Sequence, residues 1–433
     1  MIKADAPYYF AHIPKTGGTS FIAFLDRYFD SDDICPHQLW WNVGNLEAVK
    51  NRNYQLFRGH FGGAAQILSK QTLNYLTILR DPVSMAASTY QHSKRDQNTK
   101  IHQFIHNSGL SFEQFINHKR TQHLVQNRIS RSLTFGLDNH FNFEDLVLSR
   151  DSYKQFKKTI NKNRLYKTAE QRLERLKKFL MDCRWFGILE HYDQSIDLLC
   201  FIMGWPPVTQ SQKLNVHPEP QIISPDIKQT LMSLNQCDSV LYEFAEKQFK
   251  KNHRQMLADL SLEQDADSKR IKQAINERYQ SNRTLKKTTS SQSKFYYTPK
   301  EPIIGDQWHR REWNPGLKKY FCWSGPGKDS FIDIWTQPQN YTLKIKIINT
   351  ISQSHIKKLK VFINDKQPKW TIETNGSVHY LIVQCDKEMI SAEGMLRIHF
   401  MNQDIKSHKE VFGGNDHRLV GLALESIRLE VAE

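Results

Sequence analysis

The run His12-Ile-Pro-Lys-Thr-Gly-Gly-Thr-Ser20 constrains this chain more than any other stretch. An apolar segment, Pro7-Tyr-Tyr-Phe-Ala11, precedes it, and a helical pattern, Phe21-Ile-Ala-Phe-Leu-Asp-Arg-Tyr-Phe29, follows. Strand, glycine-containing turn and helix in that order build an anion cradle, because backbone N–H groups at the helix N-terminus point at the ligand and the helix dipole favours negative charge. Gly17 and Gly18 let the backbone approach without a Cβ in the way. Thr16, Thr19 and Ser20 add hydroxyl donors, and Lys15 adds a full positive charge. The spacing is not that of a Walker A loop, whose Lys follows its second Gly; here Lys15 precedes the glycine pair, so the cation enters the site from a different place.

A second motif stands at Tyr75-Leu-Thr-Ile-Leu-Arg-Asp-Pro-Val-Ser-Met-Ala-Ala-Ser-Thr-Tyr90. Tyr75 to Leu79 reads as a buried parallel strand. Asp81-Pro82 ends it and opens a helix, with Pro82 suited to the first turn. Arg80 is therefore expected at the carboxyl end of a strand, where open α/β sheets bind ligands. Ser84 and Ser88 share one face of the helix. Each motif alone has an ordinary reading: Lys15 a solvated loop lysine, Arg80 a surface ion pair, Ser88 an incidental helix serine. Their order, each after a strand, favours a nucleotide site.

Pro14-Lys-Thr-Gly-Gly-Thr-Ser20 resembles the 5′-phosphosulfate loop of sulfotransferases that use 3′-phosphoadenosine 5′-phosphosulfate (PAPS), with wording most like the carbohydrate sulfotransferases related to heparan sulfate 2-O-sulfotransferase. The resemblance covers roughly the first half of the chain. It implies that Arg80 and Ser88, eight positions apart, bind the nucleotide's 3′-phosphate, a task suited to the planar donor fork of Arg. It also implies PAPS as co-substrate and adenosine 3′,5′-bisphosphate as product; no metal is expected, because no carboxylate pair is recognisable as a metal site. Arg58-Gly-His60-Phe61 matches a Gly-His of these relatives, which implies His60 as the general base; a neutral imidazole can take and release a hydroxyl proton near working pH. His12, His92 and Glu47 are the fallbacks, His12 being placed as structural. Lys15 is the candidate to neutralise charge at the bridging oxygen of the departing phosphate, by the logic of phosphoryl transfer.

The 433 residues allow two domains, and 60 Lys/Arg against 45 Asp/Glu give a net charge of +15. Such a balance favours anionic partners: a sulfonucleotide, an acidic glycan or a nucleic acid, the last not expected here. Residues 151–180 hold ten Lys/Arg and three acids around a stripe of Leu165, Ala169, Leu173, Leu176 and Leu180, read either as a solvated helix face or as a rim that steers an anionic acceptor. Six scattered cysteines without Cys-x-x-Cys spacing fit reduced structural thiols. With the first strand within ten residues of Met1 and no apolar run of ~20 residues, a cytoplasmic, bacterial-type enzyme is expected, whereas Golgi relatives carry an N-terminal anchor.

Along the chain, 1–225 alternates strands and helices, including candidate strands at 54–61 and 184–189, with a polar helical insert at about 90–180 where a relative builds its acceptor cleft. Phe186-Gly-Ile-Leu-Glu-His-Tyr-Asp193 looks like a later, looser motif of the same family. Residues 226–300 read as a helical segment and a polar linker that includes Ser281–Ser293. From 301 to 433, Phe331–Trp335, Tyr341–Ile347, Leu359–Asn364, Val378–Val383, Leu396–Phe400 and Ser426–Val431 alternate with period two, which argues an antiparallel β-sandwich with Lys344, Lys346, Lys360, His399 and Arg428 on solvent faces. Trp308, Trp313, Trp323 and Trp335 are candidates either for the core or for stacking on sugar rings, and Asn415–Leu424 resembles the end of β-domains on bacterial surface-polysaccharide enzymes.

The expected fold is therefore α/β, a P-loop-like three-layer fold with a central parallel sheet, plus a C-terminal β-sandwich for a glycan or another partner. The expected function is PAPS-dependent sulfuryl transfer to a carbohydrate hydroxyl; oligomeric state is not legible. Two other classes stay open. One is a Mg-ATP-dependent P-loop kinase or NTPase with Leu76–Asp81 as its Walker B strand, against which the place of Lys15 argues. The other is a non-catalytic glycan-binding protein, against which the presence of Lys15, Arg80, Ser88 and His60 argues.

Overall fold

The computed structural model describes residues 6–135, 147–148, 152, 154–155, 158, 168–209, 221–285, 294–352, 354–392 and 394–432. Contacts divide the chain into two compact units. The first takes in Met1–Ile22, Asp33–Ile202 and Lys213–Gln264; the second takes in Ala23–Asp32, Met203–Gln212 and Asp265–Glu433.

The first unit is built on four parallel strands, β1 (Tyr8–Ala11), β2 (Leu56–Gly59), β3 (Asn74–Leu79) and β4 (Trp185–Ile188), in the order β2-β1-β3-β4. Registers pair Ala11 with both Gly59 and Thr77, and Leu79 with Ile188, so all four carboxyl ends lie along one edge. The strands read as apolar runs because the sheet is covered on both faces. Phe10 packs on Phe21 of α1 (Gly18–Leu25) at 4.6 Å between ring centroids, while its neighbour Tyr9 points the other way, onto Tyr75, which in turn meets Phe179 of a helix over Ala169–Asp182. The chain runs from β1 outward to β2 and then crosses to β3 on the other side, which makes the gap beyond the ends of β1 and β3 the topological switch point.

Helix α1 begins three residues before the apolar pattern Phe21–Phe29 and tightens into a 3-10 turn over Asp26–Tyr28. Gly17, at φ +78°, turns the chain into it. Helix α2 (Pro82–Arg95) has the expected start: Pro82 occupies its first turn and the Asp81 carboxylate accepts from Ser84 N–H at 2.7 Å. In the insert, helices α3 (Lys100–Ser108), α4 (Phe112–Asn117), α5 (Arg128–Leu133) and α6 (Ala169–Asp182) are described, whereas 136–146 and 159–167, with Leu165, lie outside the described residues. Helix α7 (Tyr192–Met203) follows β4, and α8 (Pro225–Leu234) leads into the long α9 (Gln236–Asp259).

The second unit is antiparallel. Strands β5 (Lys294–Tyr297), β6 (Gly305–Asp306), β7 (Glu312–Asn314), β8 (Lys319–Trp323), β9 (Asp329–Trp335), β10 (Tyr341–Thr350), β11 (Lys360–Ile363), β12 (Trp370–Asn375), β13 (Val378–Cys385), β14 (Met395–Met401) and β15 (Leu422–Val431) form two sheets. One runs β12-β13-β10-β15-β8-β7, with β5 also on β15; the other runs β11-β14-β9-β6. Leu343, Ile345, Leu381, Val383, Ile427 and Leu429 of the first sheet share one hydrophobic core with Ile332, Ile334, Val361, Leu396, Ile398 and Phe400 of the second. All six alternating segments are strands, and the alternation arises because one face of each strand is buried. Lys344, Lys360 and Arg428 are exposed; Lys346 and His399 are half-buried beside Glu425 and Asp329. Trp308 and Trp323 belong to the core, while Trp313 is 52% exposed. The polar run expected as a linker starts within a helix, Ser268–Leu285, and 286–293 lie outside the described residues.

This second unit also incorporates the end of α1. Arg27 is buried and donates to Gly305 O at 2.8 Å, and Ile303 N–H donates to Arg27 O at 2.7 Å. Arg311 caps the same chain end, donating to Asp26 O and Phe29 O at 2.6 Å each, and Arg310 pairs with the Asp26 carboxylate at 2.8 Å.

Among the described residues no helix is long and apolar enough to cross a membrane. All six cysteines are free thiols.

Candidate active site

Because the four strands are parallel and in register, the residues that follow them gather at one edge: His12 after β1, His60 after β2, Arg80 after β3 and Glu190 after β4. The two sequence motifs touch there. Arg80 Nη1 donates to Lys15 O at 3.0 Å, tying the end of β3 to the loop after β1. Arg80 Nε is buried with no hydrogen-bond partner among the described residues. An orphaned guanidinium donor beside a glycine-rich turn suits an anion.

The loop is shaped by three constraints. Lys15 itself adopts a left-handed backbone, φ +70°, and Gly17 a second one. A Cβ on Gly18 would overlap the His12 imidazole, and one on Gly17 would lie 2.7 Å from Leu189 Cδ1. Thr16 is fully buried and donates its hydroxyl to Ile13 O at 2.8 Å, so it braces the turn. Thr19, in the first turn of α1, is exposed, and Ser20 is buried. Ser88 is half-buried on α2, and among the described residues no hydrogen bond joins it to Arg80 or to the loop.

His60 is held in one tautomer. Its Nδ1 lies 2.8 Å from the carbonyl oxygen of His12, which can only accept, so Nδ1 carries the proton and Nε2 keeps a lone pair. The two imidazoles stack at 4.3 Å between centroids. Burial pushes the His60 pKa below its ordinary value; the hydrogen bond to His12 opposes this and the Arg128 cation adds to it. The ring is thus kept neutral at pH 7. Of the fallbacks, His12 is pushed down to about 3 by burial, then by His60 and Lys15, and its Nδ1 is buried with no hydrogen-bond partner among the described residues. That suits a structural residue under the loop. Glu47 is half-buried and its carboxylate lies 3.9 Å from Lys50. His92, on α2, sits 3.9 Å from Asp96, and Lys15 is close enough to lower its pKa.

The electrostatics of the site are those of a cation cluster. The Lys15 pKa is lowered to about 8, first by burial and then by Arg95, Arg80 and Arg128, with Asp96 opposing them. Arg128 escaped the sequence reading. It opens α5, behind a left-handed Asn127, and donates to Leu124 O at 2.6 Å. The buried Asp238 carboxylate of α9 caps α5 through Ile129 N–H and Ser130 N–H at 2.7 and 2.8 Å, which fixes the helix start. The other end of α5 abuts the chain just past His60, where Ala64 N–H donates to Phe135 O at 2.9 Å. An isolated Arg in a region not described by any motif carries no sequence signal; only the tertiary approach of α5 exposes its role. Among the described residues, no three His, Cys, Asp or Glu side chains converge as a metal site.

The arrangement can hold an anion between the α1 N-terminus and Arg80, with a neutral base at the same edge. No family model matches the chain. A stretch of 86 residues is 30% identical to a protein-tyrosine sulfotransferase of Arabidopsis thaliana, covering 20% of this chain and 17% of that protein. Among solved structures, a sulfotransferase from Alicyclobacillus acidocaldarius aligns over 55% of this chain and 95% of its own at 15% identity, with a TM-score of 0.27.

Proposed function

We propose that the first unit is a sulfotransferase that binds PAPS and passes its sulfuryl group to a hydroxyl of a carbohydrate acceptor, releasing adenosine 3′,5′-bisphosphate. The observation that carries this reading is the hydrogen bond from Arg80 to Lys15 O, which joins a phosphosulfate-type loop to a 3′-phosphate-type arginine. The excess of cations, the orphaned Arg80 Nε and the Cβ-free turn at Gly17 and Gly18 all suit a ligand with two anionic ends. The short match to a sulfotransferase supports the same chemistry.

In this reading PAPS supplies the activated sulfuryl group. Lys15 and the N–H groups opening α1 hold the 5′ phosphosulfate end, Thr19 and Ser20 add hydroxyls there, and Arg80 with Ser88 holds the 3′-phosphate. His60 Nε2 takes the proton of the acceptor hydroxyl as its oxygen bonds to sulfur. Lys15 offsets the charge that the departing phosphate oxygen acquires when its bond to sulfur breaks. The first unit is read as a P-loop-like layered fold and the two antiparallel sheets as a sandwich that binds acceptor or partner. The similarity to a protein-tyrosine sulfotransferase favours one second reading, a tyrosyl hydroxyl as acceptor. Incubation with PAPS and either neutral and uronate-containing oligosaccharides or tyrosyl peptides tests both. Bisphosphate release that depends on a saccharide supports the carbohydrate reading, and release that depends only on the peptide moves the acceptor to tyrosine. A phosphorylated product formed only with ATP and Mg²⁺ would return the kinase reading.

A further inference from the structure

The segment Phe186–Asp193 has no task in the chemistry above, yet its corner touches both nucleotide motifs. Leu189 Cδ1 is the atom that a Cβ on Gly17 would meet. The next residue, Glu190, accepts from Asp81 N–H with Oε1 at 3.1 Å, on the residue directly after Arg80. Its Oε2 accepts from Tyr242 OH of α9 at 2.9 Å. The corner is itself pinned: Ser195 Oγ bonds both Ile188 N–H and Ile188 O, at 3.0 and 3.1 Å. His191 stacks on Phe249 of α9 and reaches Glu246 at 3.4 Å.

A carboxylate placed this close to a phosphate site costs repulsion unless it does something the site needs. Glu190 is one of two carboxylates, with Asp81, that favour the charged form of Arg80, and it fixes the backbone one residue beyond it. Asp81 is already spent on capping α2 through Ser84 N–H.

We propose that Glu190 is a positioning residue: held by Tyr242, its carboxylate clamps the Arg80-Asp81 turn so that the Arg80 guanidinium faces the 3′-phosphate of the bound nucleotide. This rests on the sulfonucleotide reading of the site. Glu190 touches no part of the ligand; it acts through Arg80.

The test is calorimetric binding of adenosine 3′,5′-bisphosphate and of adenosine 5′-monophosphate, which lacks the 3′-phosphate, to the full chain. Wild type binds the bisphosphate more tightly. Glu190→Ala loses about tenfold in bisphosphate affinity and leaves monophosphate affinity unchanged, a loss of the size expected when a charge-assisted contact goes out of place. Glu190→Gln, which can still accept from Asp81 N–H, restores most of it, and Tyr242→Phe gives an intermediate loss. Arg80→Ala combined with Glu190→Ala is no weaker than Arg80→Ala alone, because both act through one contact. If Glu190→Ala does not fold, the Glu190→Gln and Tyr242→Phe variants carry the same comparison. Full discrimination in Glu190→Ala, or an equal loss for both ligands, overturns the proposal. No preference for the bisphosphate in wild type removes the underlying reading and the proposal with it.

Discussion

Lys15 is crowded by Arg80, Arg95 and Arg128, and its charge costs energy until an anion arrives. In the free protein it titrates at about 8. A bound phosphosulfate favours the charged form, so the pKa in the complex lies higher. Affinity for adenosine 3′,5′-bisphosphate therefore falls as pH rises through about 8, with net proton uptake on binding just above it. Calorimetry in two buffers of different ionisation enthalpy reads that uptake, and Lys15→Met abolishes it. His60 is the counterpart. His60→Ala keeps bisphosphate affinity and loses about 100-fold or more in turnover, the usual worth of a general base. Arg128→Gln removes a cation from beside the imidazole, so the His60 pKa, followed by NMR, moves upward. Lys15, Arg80 and His60 were legible because each follows a strand within a short motif. Arg128 was not, because its place depends on α5 docking past His60 and on a cap from Asp238 more than a hundred residues later.

Among elements, the turn into α1 is the tightest constraint. Only glycine fits at position 18, because the His12 ring fills the space a Cβ would take. Gly18→Ala must shift either the loop or the imidazole that stacks on His60, so it is expected to cost about 1–3 kcal/mol of stability as an overpacked contact and to weaken nucleotide binding. Denaturant unfolding alongside bisphosphate titration checks both effects, and unchanged binding with unchanged stability would contradict the geometry. The strand edges and the start of α2 were readable from Asp81-Pro82 and from the apolar runs. The early start of α1 was not, since Gly18, Thr19 and Ser20 are weak helix formers that the cradle recruits into the first turn.

At the scale of the molecule, the end of α1 belongs to the unit that forms from the far end of the chain. Arg27 donates to Gly305 O, the Asp26 carboxylate pairs with Arg310, and Phe29 O accepts from Arg311. Composition and alternation revealed the period-two region, but nothing local announces that residues 23–32 are built into it. A chain cut after residue 285 loses the partners at 303–311 that hold Arg27, Asp26 and Phe29, at about 0.5–1.5 kcal/mol for each hydrogen bond. Such a fragment is expected to melt well below the full chain or to fail to fold, and a fragment that melts like wild type would contradict this.

The most direct test of the account is thermal unfolding with adenosine 3′,5′-bisphosphate without metal, set against ATP with Mg²⁺. A ligand at ~100 times its Kd that binds only the folded state adds ~2.7 kcal/mol, enough to raise the midpoint measurably. The account predicts a rise with the bisphosphate in wild type and none in Arg80→Ala. A rise only with ATP and Mg²⁺, or an equal rise in Arg80→Ala, would contradict it.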